Sequence, residues 1–242
     1  MKNLVLISAF TFAFFSAVNG QPDKYQSDVI KTSAGDLKIY FIGHASLMFE
    51  FDGKNIYTDP WSKLADYTKF PKADLILITH QHPDHLDPEA VKAISTKETQ
   101  IVETKSVYDV LAQGTVMKNG DKKTVDGFEI EAVPAYNTTK GREMYHPKDR
   151  DNGYIVTFGN KRVYIAGDTE DIPEMSTFKN IDIAFLPMNQ PYTMTPEQVV
   201  HAVHMIHPKI LYPYHTGNTD VSKLKALLAN DKNVDLRIRK LQ

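Results

Sequence analysis

Apolar residues come first in short alternating runs and later in blocks separated by polar, periodic segments. Residues 37–42 and 46–51 read as strands. Asp52-Gly53, a dipeptide suited to the positive φ values of a tight turn, folds the second run back onto residues 55–58. Residues 74–79 (Asp-Leu-Ile-Leu-Ile-Thr) are apolar almost throughout, the pattern of a strand covered on both faces. Beyond them the period changes. Asp87 is placed to cap a helix over residues 88–95. Residues 99–102 then read as a strand, 106–112 as a helix and 124–133 as one further element. Residues 153–158 and 162–166 form a hairpin about Gly159-Asn160, and residues 181–186 are again an apolar strand. Thr195-Pro196-Glu197 opens a helix reaching about Ile206. A strand at 210–212, a helix near 221–228 and a short strand near 236–239 follow. Hairpins followed by strand–helix alternation predict two mixed sheets with helices outside them. Residues 137–152 break the pattern: they are polar, rich in Lys and Arg and without a period, which predicts a long loop of the kind that often carries function.

Residues 4–18 form an uncharged, mostly apolar run after Lys2, and Val18 and Gly20 occupy the small-residue positions of a cleavage site. That is the layout of a secretory signal peptide over residues 1–20, too short for a spanning helix. The expectation is an exported protein, periplasmic or extracellular, with no stable membrane anchor after cleavage and one domain over residues 21–242. No cysteine occurs anywhere. Disulfides, thiol nucleophiles and Cys-based metal sites are excluded, so any metal must be held by His and carboxylate. With 28 basic and 30 acidic residues interspersed, the charge of −2 offers no basic stripe for nucleic acid.

The chemistry concentrates in one place. Thr79-His80-Gln81-His82-Pro83-Asp84-His85-Leu86-Asp87 directly follows the buried strand at 74–79. Imidazole and carboxylate together suit a borderline-soft divalent ion such as zinc. A spacing of two places His80 and His82 on one side of an extended segment, within reach of one ion. Asp84 and His85, beyond the bend at Pro83, can reach a second. His201, His204 and His207 recur every three residues on the predicted helix, but steps of about 300° drift around the axis, so they read as surface or packing residues.

The pattern His-x-His-x-Asp-His resembles the metallo-β-lactamase superfamily. Gly43-His44-Ala45-Ser46, Tyr57-Thr58-Asp59-Pro60-Trp61, Gly167-Asp168-Thr169 and Tyr214-His215-Thr216-Gly217 fall in that family's order. His44-Ala45-Ser46 and Pro134-Ala135-Tyr136-Asn137 are similar to the branch holding ascorbate-6-phosphate lactonase-like proteins and the phosphodiesterases that cleave N-acylphosphatidylethanolamine. The resemblance implies an α/β fold, the four-layer αββα sandwich. It also implies His80 and His82 on a first ion, Asp84, His85 and His215 on a second, and Asp168 bridging them. Asn137 stands where the family usually has the third His of the first site. An amide is a weak zinc ligand, and His146 in the long loop is the alternative third ligand or a substrate contact. His44 is expected to line the cleft, and Asp59 to hold the metal loop by hydrogen bonds.

The activity implied is metal-dependent hydrolysis of an ester-like bond, a phosphodiester, lactone or similar, in a small-molecule substrate. One or two zinc ions would activate water, manganese or iron suiting the same ligands, and Asp84 or Asp168 would take up the proton. The alternatives are an iron-dependent oxidoreductase on the same fold and a non-catalytic metal-binding module. β-Lactam hydrolysis ranks below the lactonase-like reading, and oligomeric state is not legible.

Overall fold

Two seven-stranded sheets face each other across a shared core in the computed structural model, which describes residues 21–241. The expected signal segment, residues 1–20, lies outside the described residues. The first sheet runs in chain order: β1 (Gln26–Thr32), β2 (Gly35–Gly43), β3 (Ser46–Phe51), β4 (Lys54–Thr58), β5 (Leu75–Leu77), β6 (Gln100–Glu103) and β7 (Thr115–Val116). Its first four strands pair antiparallel, the rest parallel. Helices α1 (Pro88–Ile94) and α2 (Lys105–Leu111) belong to its crossovers. The second sheet holds β8 (Lys122–Val125), β9 (Phe128–Ala135), β10 (Asp151–Phe158), β11 (Lys161–Ile165), β12 (Ile183–Pro187), β13 (Ile210–Tyr214) and β14 (Asp235–Leu236). Helices α3 (Pro196–Ile206) and α4 (Val221–Leu227) belong to its crossovers.

Strand alternation builds the layers. On β5, Leu75 and Leu77 enter the core between the sheets, while Ile76 and the following Ile78 pack outward with Val91 and Ile94 of α1 and Val107 of α2. On β10, Tyr154, Val156 and Phe158 point inward, and Ile155 joins the outer layer with Val199, Val203 and Leu224 of α3 and α4. Helix–sheet–sheet–helix is therefore the αββα sandwich expected. The helix starts are also where the caps predict them. Asp87 accepts from the N–H groups of Glu89 (3.0 Å) and Ala90 (3.1 Å), and Thr195 and Gln198 form a reciprocal capping box. His201 and His204 are exposed and sit beside Asp171 (2.6 Å) and Asp231 (3.2 Å); His207 caps α3.

Some elements differ from expectation. Residues 124–133 are not one element but the hairpin β8–β9, turned at Asp126-Gly127 with both φ values positive (51° and 87°). The long loop ends earlier, because Asp151 and Asn152 already pair with β9. Strand β1 was not anticipated: Gln-Ser-Asp-Val-Ile-Lys-Thr is an edge strand with a mostly polar, half-exposed pattern. One buried group stands outside the apolar layers. Glu103, at the end of β6, has both carboxyl oxygens buried without a hydrogen-bond partner, and burial pushes its carboxyl up to about 7.

Candidate metal centre

Six connections deliver side chains to one end of the sandwich. His44 lies between β2 and β3, Asp59 after β4, His80 to His85 after β5, His146 between β9 and β10, Asp168 after β11 and His215 after β13. Three of these residues hold left-handed backbone that non-glycine residues rarely adopt: His44 (φ 50°), Asp59 (43°) and His215 (47°). Such conformations persist where their surroundings enforce them. Here the His44 N–H donates to the Leu241 carbonyl (2.8 Å), and the His215 N–H donates to the His44 carbonyl (3.0 Å). Gly167 (φ 64°) allows the other close approach: a Cβ there would stand 2.9 Å from the Asn152 carbonyl and 3.0 Å from Thr79 Cβ. Asp168 is thereby pressed against the end of the strand that leads into His80.

The donors fall into overlapping groups. His44, Asp84, His85 and His215 each offer one ligand atom, all within 4.8 Å of one another; His80, His82 and His146 do the same, as do His80, His85 and Asp168. Asp168 joins them: its Oδ1 is 3.3 Å from His85 Nε2, and its Oδ2 is 3.4 Å from His146 Nε2 and 3.5 Å from His215 Nε2. Asp84 Oδ2 lies 3.5 Å from His215 Nε2 and 3.0 Å from His44 Nε2, and His80 Nε2 is 3.1 Å from His82 Nδ1. Ligands arranged tetrahedrally about 2.0–2.1 Å from a zinc ion stand about 3.3 Å apart. His85 Nε2, Asp168 Oδ1 and both ring nitrogens of His215 are buried without a hydrogen-bond partner, which native proteins rarely tolerate. Orphaned donors converging at ligand–ligand spacing fit divalent metal, and the hard and borderline N/O set fits it chemically.

The surroundings set the charge states. Burial pulls His80 well below its ordinary range, so the imidazole is neutral and its lone pair free. Burial would raise Asp168, but the imidazoles of His215, His85 and His146 crowded against its carboxyl outweigh it and hold it well below the usual carboxylate range. Burial likewise opposes ionised Asp84, and its contacts with His215 and His44 overcome that.

Two buried carboxylates orient imidazoles from behind. Asp59 Oδ2 lies 2.8 Å from His85 Nδ1, while the same carboxylate accepts from the Thr79 N–H (2.8 Å) and hydroxyl (2.7 Å). Asp59 therefore grips the metal loop, in the place expected for it. On the other flank Asp151 Oδ2 is 3.2 Å from His146 Nδ1, and Arg150 braces Asp151 through Nε (2.7 Å) and a terminal nitrogen (2.8 Å). Sequence reading missed Asp151; a carboxylate five residues from a candidate ligand, at a strand start, was the available signal. It also missed Glu170, which is buried and accepts from the N–H groups of Thr138 (2.8 Å) and Thr139 (2.6 Å), pinning the long loop.

His146 is brought in beside His80 and His82, whereas Asn137 turns its amide nitrogen to the carbonyls of Tyr192 (2.8 Å) and Arg142 (3.2 Å). The Asn137 N–H donates to the His146 carbonyl (2.9 Å), so the residue at the usual ligand position anchors His146, while its own Oδ1 is buried without a hydrogen-bond partner. His44, expected to line the cleft, stands inside the donor group, its ring centroid 3.7 Å from that of His215.

Similarity to known proteins agrees with this geometry. The family described as beta-lactamase superfamily domain matches residues 38–215. A UPF0173 metal-dependent hydrolase of Thermococcus kodakarensis is 31% identical over 192 residues, covering 74% of this chain and 84% of that protein. Among solved structures, a Parabacteroides distasonis protein described as a metal-dependent hydrolase shares 57% identity with a TM-score of 0.88, covering 90% of this chain and all of that one. Igni18, a metallo hydrolase from Ignicoccus hospitalis, has 26% identity and a TM-score of 0.72 over 85% of this chain and 95% of its own. A shared domain spanning both sheets and a donor cluster able to hold metal converge on one conclusion: the chain belongs to the metallo-β-lactamase superfamily, among the UPF0173 metal-dependent hydrolases.

Proposed function

We propose that the protein hydrolyses an ester-like bond, a lactone, phosphodiester or similar, in a small exported-compartment substrate, using two zinc ions. The observation that carries this reading is Asp168, whose carboxylate contacts His85, His146 and His215 at 3.3 to 3.5 Å and so links both donor groups. His80, His82 and His146 would hold one ion; Asp84, His85 and His215, with His44 beside them, would hold the other. When bound, the ions act as Lewis acids and bring the pKa of water near neutrality. The chain's own residues do the rest. Asp59 and Asp151 fix the rings of His85 and His146, so that ring nitrogens face the cluster. Asp84, 35% exposed where Asp168 is enclosed, is the carboxylate able to take up a proton and pass it to solvent.

The test is elemental analysis of natively expressed protein, followed by lactone, phosphodiester and β-lactam substrates. Zinc near two equivalents with lactone or phosphodiester turnover, both lost in His82→Ala while the fold persists, is the expected result. Unchanged activity in metal-free His82→Ala would sink the proposal, and iron with oxygen consumption would replace it by an oxidoreductase. Export is proposed on residues 1–20, which carry the signal-peptide pattern. Terminal sequencing of protein from its host should begin near Gln21.

A further inference from the structure

We propose that Asp28, on the edge strand β1, is a positioning residue for the metal centre: through residues 239–241 it sets the aim of His44 and His215. The proposal rests on the two-ion reading above.

Asp28 stands away from the donor cluster. It pairs across β1 and β2 with Ile39, five residues before His44 and roughly 16 Å from it along an extended strand. Its carboxylate is nonetheless crowded with donors. Arg239 approaches as a fork, Nε on Oδ1 (3.0 Å) and a terminal nitrogen on Oδ2 (2.7 Å). The Tyr212 hydroxyl donates to Oδ2, and an Arg237 terminal nitrogen lies 3.4 Å from it. Burial opposes the ionised carboxyl, but the hydrogen bonds of Arg239 and Tyr212 and the charges of both arginines hold it below the usual carboxylate range. The Arg239 guanidinium also lies over the rings of Tyr212 (5.6 Å) and Phe41 (5.8 Å). Carboxylate and rings together fix a planar group that one hydrogen bond would leave free to turn.

The two residues after Arg239 carry this constraint to the donors. The Lys240 N–H donates to Gln26 Oε1 (3.1 Å), also on β1. Leu241 is buried between the sheets, and its carbonyl accepts the His44 N–H. The His44 carbonyl accepts the His215 N–H in turn. Both histidines hold left-handed backbone that only their surroundings maintain. A segment clamped at Gln26 and Asp28 leaves the Leu241 carbonyl little room to move. His80, His82 and His146 receive no hydrogen bond from residues 237–241 among the described residues. Asp28 therefore acts on one donor group and not on the other, which gives the test its internal control.

The experiment uses the full chain labelled with 15N-histidine, metal-free and zinc-loaded. In the metal-free protein, Asp28→Asn should speed hydrogen exchange at the His44 and His215 amides about tenfold. The His85 amide, which donates to the His82 carbonyl (2.9 Å), should exchange as before. Chelator competition should show one zinc ion held about tenfold more weakly and the other unchanged. Arg239→Gln, which leaves Arg237 on Asp28, should give the same pattern in milder form and serves if Asp28→Asn folds poorly. Asp28→Glu, which keeps the charge, should fall between wild type and Asp28→Asn. Asp36→Asn breaks the exposed Lys31–Asp36 pair of the same hairpin and should change neither reading. Equal acceleration at all three amides marks general loosening and overturns the proposal, as does zinc affinity unchanged at both ions or lowered equally. One zinc ion per wild-type chain, weakened in Asp28→Asn with the same selective exchange, would overturn the two-ion reading and leave the positioning role standing.

Discussion

The two flanks of the metal centre are held by different means. On one, His85 is backed by Asp59, a residue at the end of β4 whose carboxylate also takes both donors of Thr79 from the end of β5. Ligand and support there belong to neighbouring strands of one sheet. On the other, His146 comes from the connection between β9 and β10, backed by Asp151 and Arg150 and pinned by Glu170 from the segment after β11. Strand ends supply precision directly; a loop acquires it only when buried carboxylates fasten it in several places.

Removing what the flanks share should have the largest effect. Asp168→Asn keeps the shape but removes the charge common to His85, His146 and His215, and should lower activity by about 10³-fold with loss of bound metal. Metal content by mass spectrometry checks it, and retention of both ions would refute the bridging role. Next come the two supporting carboxylates. Asp59→Asn and Asp151→Asn should each weaken metal binding by roughly 10- to 100-fold. Only Asp59→Asn should also lower thermal stability by several degrees, because Thr79 loses charged acceptors between two core strands. Equal thermal penalties in the two variants would erase the distinction between strand and loop.

Glu103 supplies the contrast case, a carboxyl buried without donors. Its pKa is raised in the fold to about 7. The folded chain therefore keeps a proton that the unfolded chain gives up, and stability falls as pH rises from about 4.5 to 7, remaining lower above that. Glu103→Gln should abolish this slope and stabilise the protein at pH 8 by about 1–3 kcal/mol, with little change at pH 4.5. Denaturant unfolding at both pH values decides it, and equal effects at the two would refute it.

What was legible in the sequence follows from how local each signal is. His80, His82, Asp84 and His85 sit within six residues behind an apolar strand, so both their chemistry and their placement could be read directly. Asp168 and His215 emerged only from their order relative to that cluster. Asp151 and Glu170 stayed hidden: each is an ordinary acid in sequence, and Glu170 finds its donors about thirty residues away, across a fold that must form first. The same holds for β1, whose strand character comes from pairing with β2 rather than from its own polar residues. At Asp126-Gly127 the signal was present, and the apolar residues flanking it masked the turn.

The chain of backbone hydrogen bonds from His215 to His44 to Leu241 carries a consequence for the order of assembly. Contacts joining distant parts of a chain are entropically costly and form slowly. The left-handed turns that aim two imidazoles at the cluster are fastened by Leu241, a residue about two hundred positions beyond His44, so these turns are complete only once that segment has docked. Removing the Leu241 carbonyl would cost the first of the two hydrogen bonds in this relay, and with it the latch that sets the aim of His44 and His215.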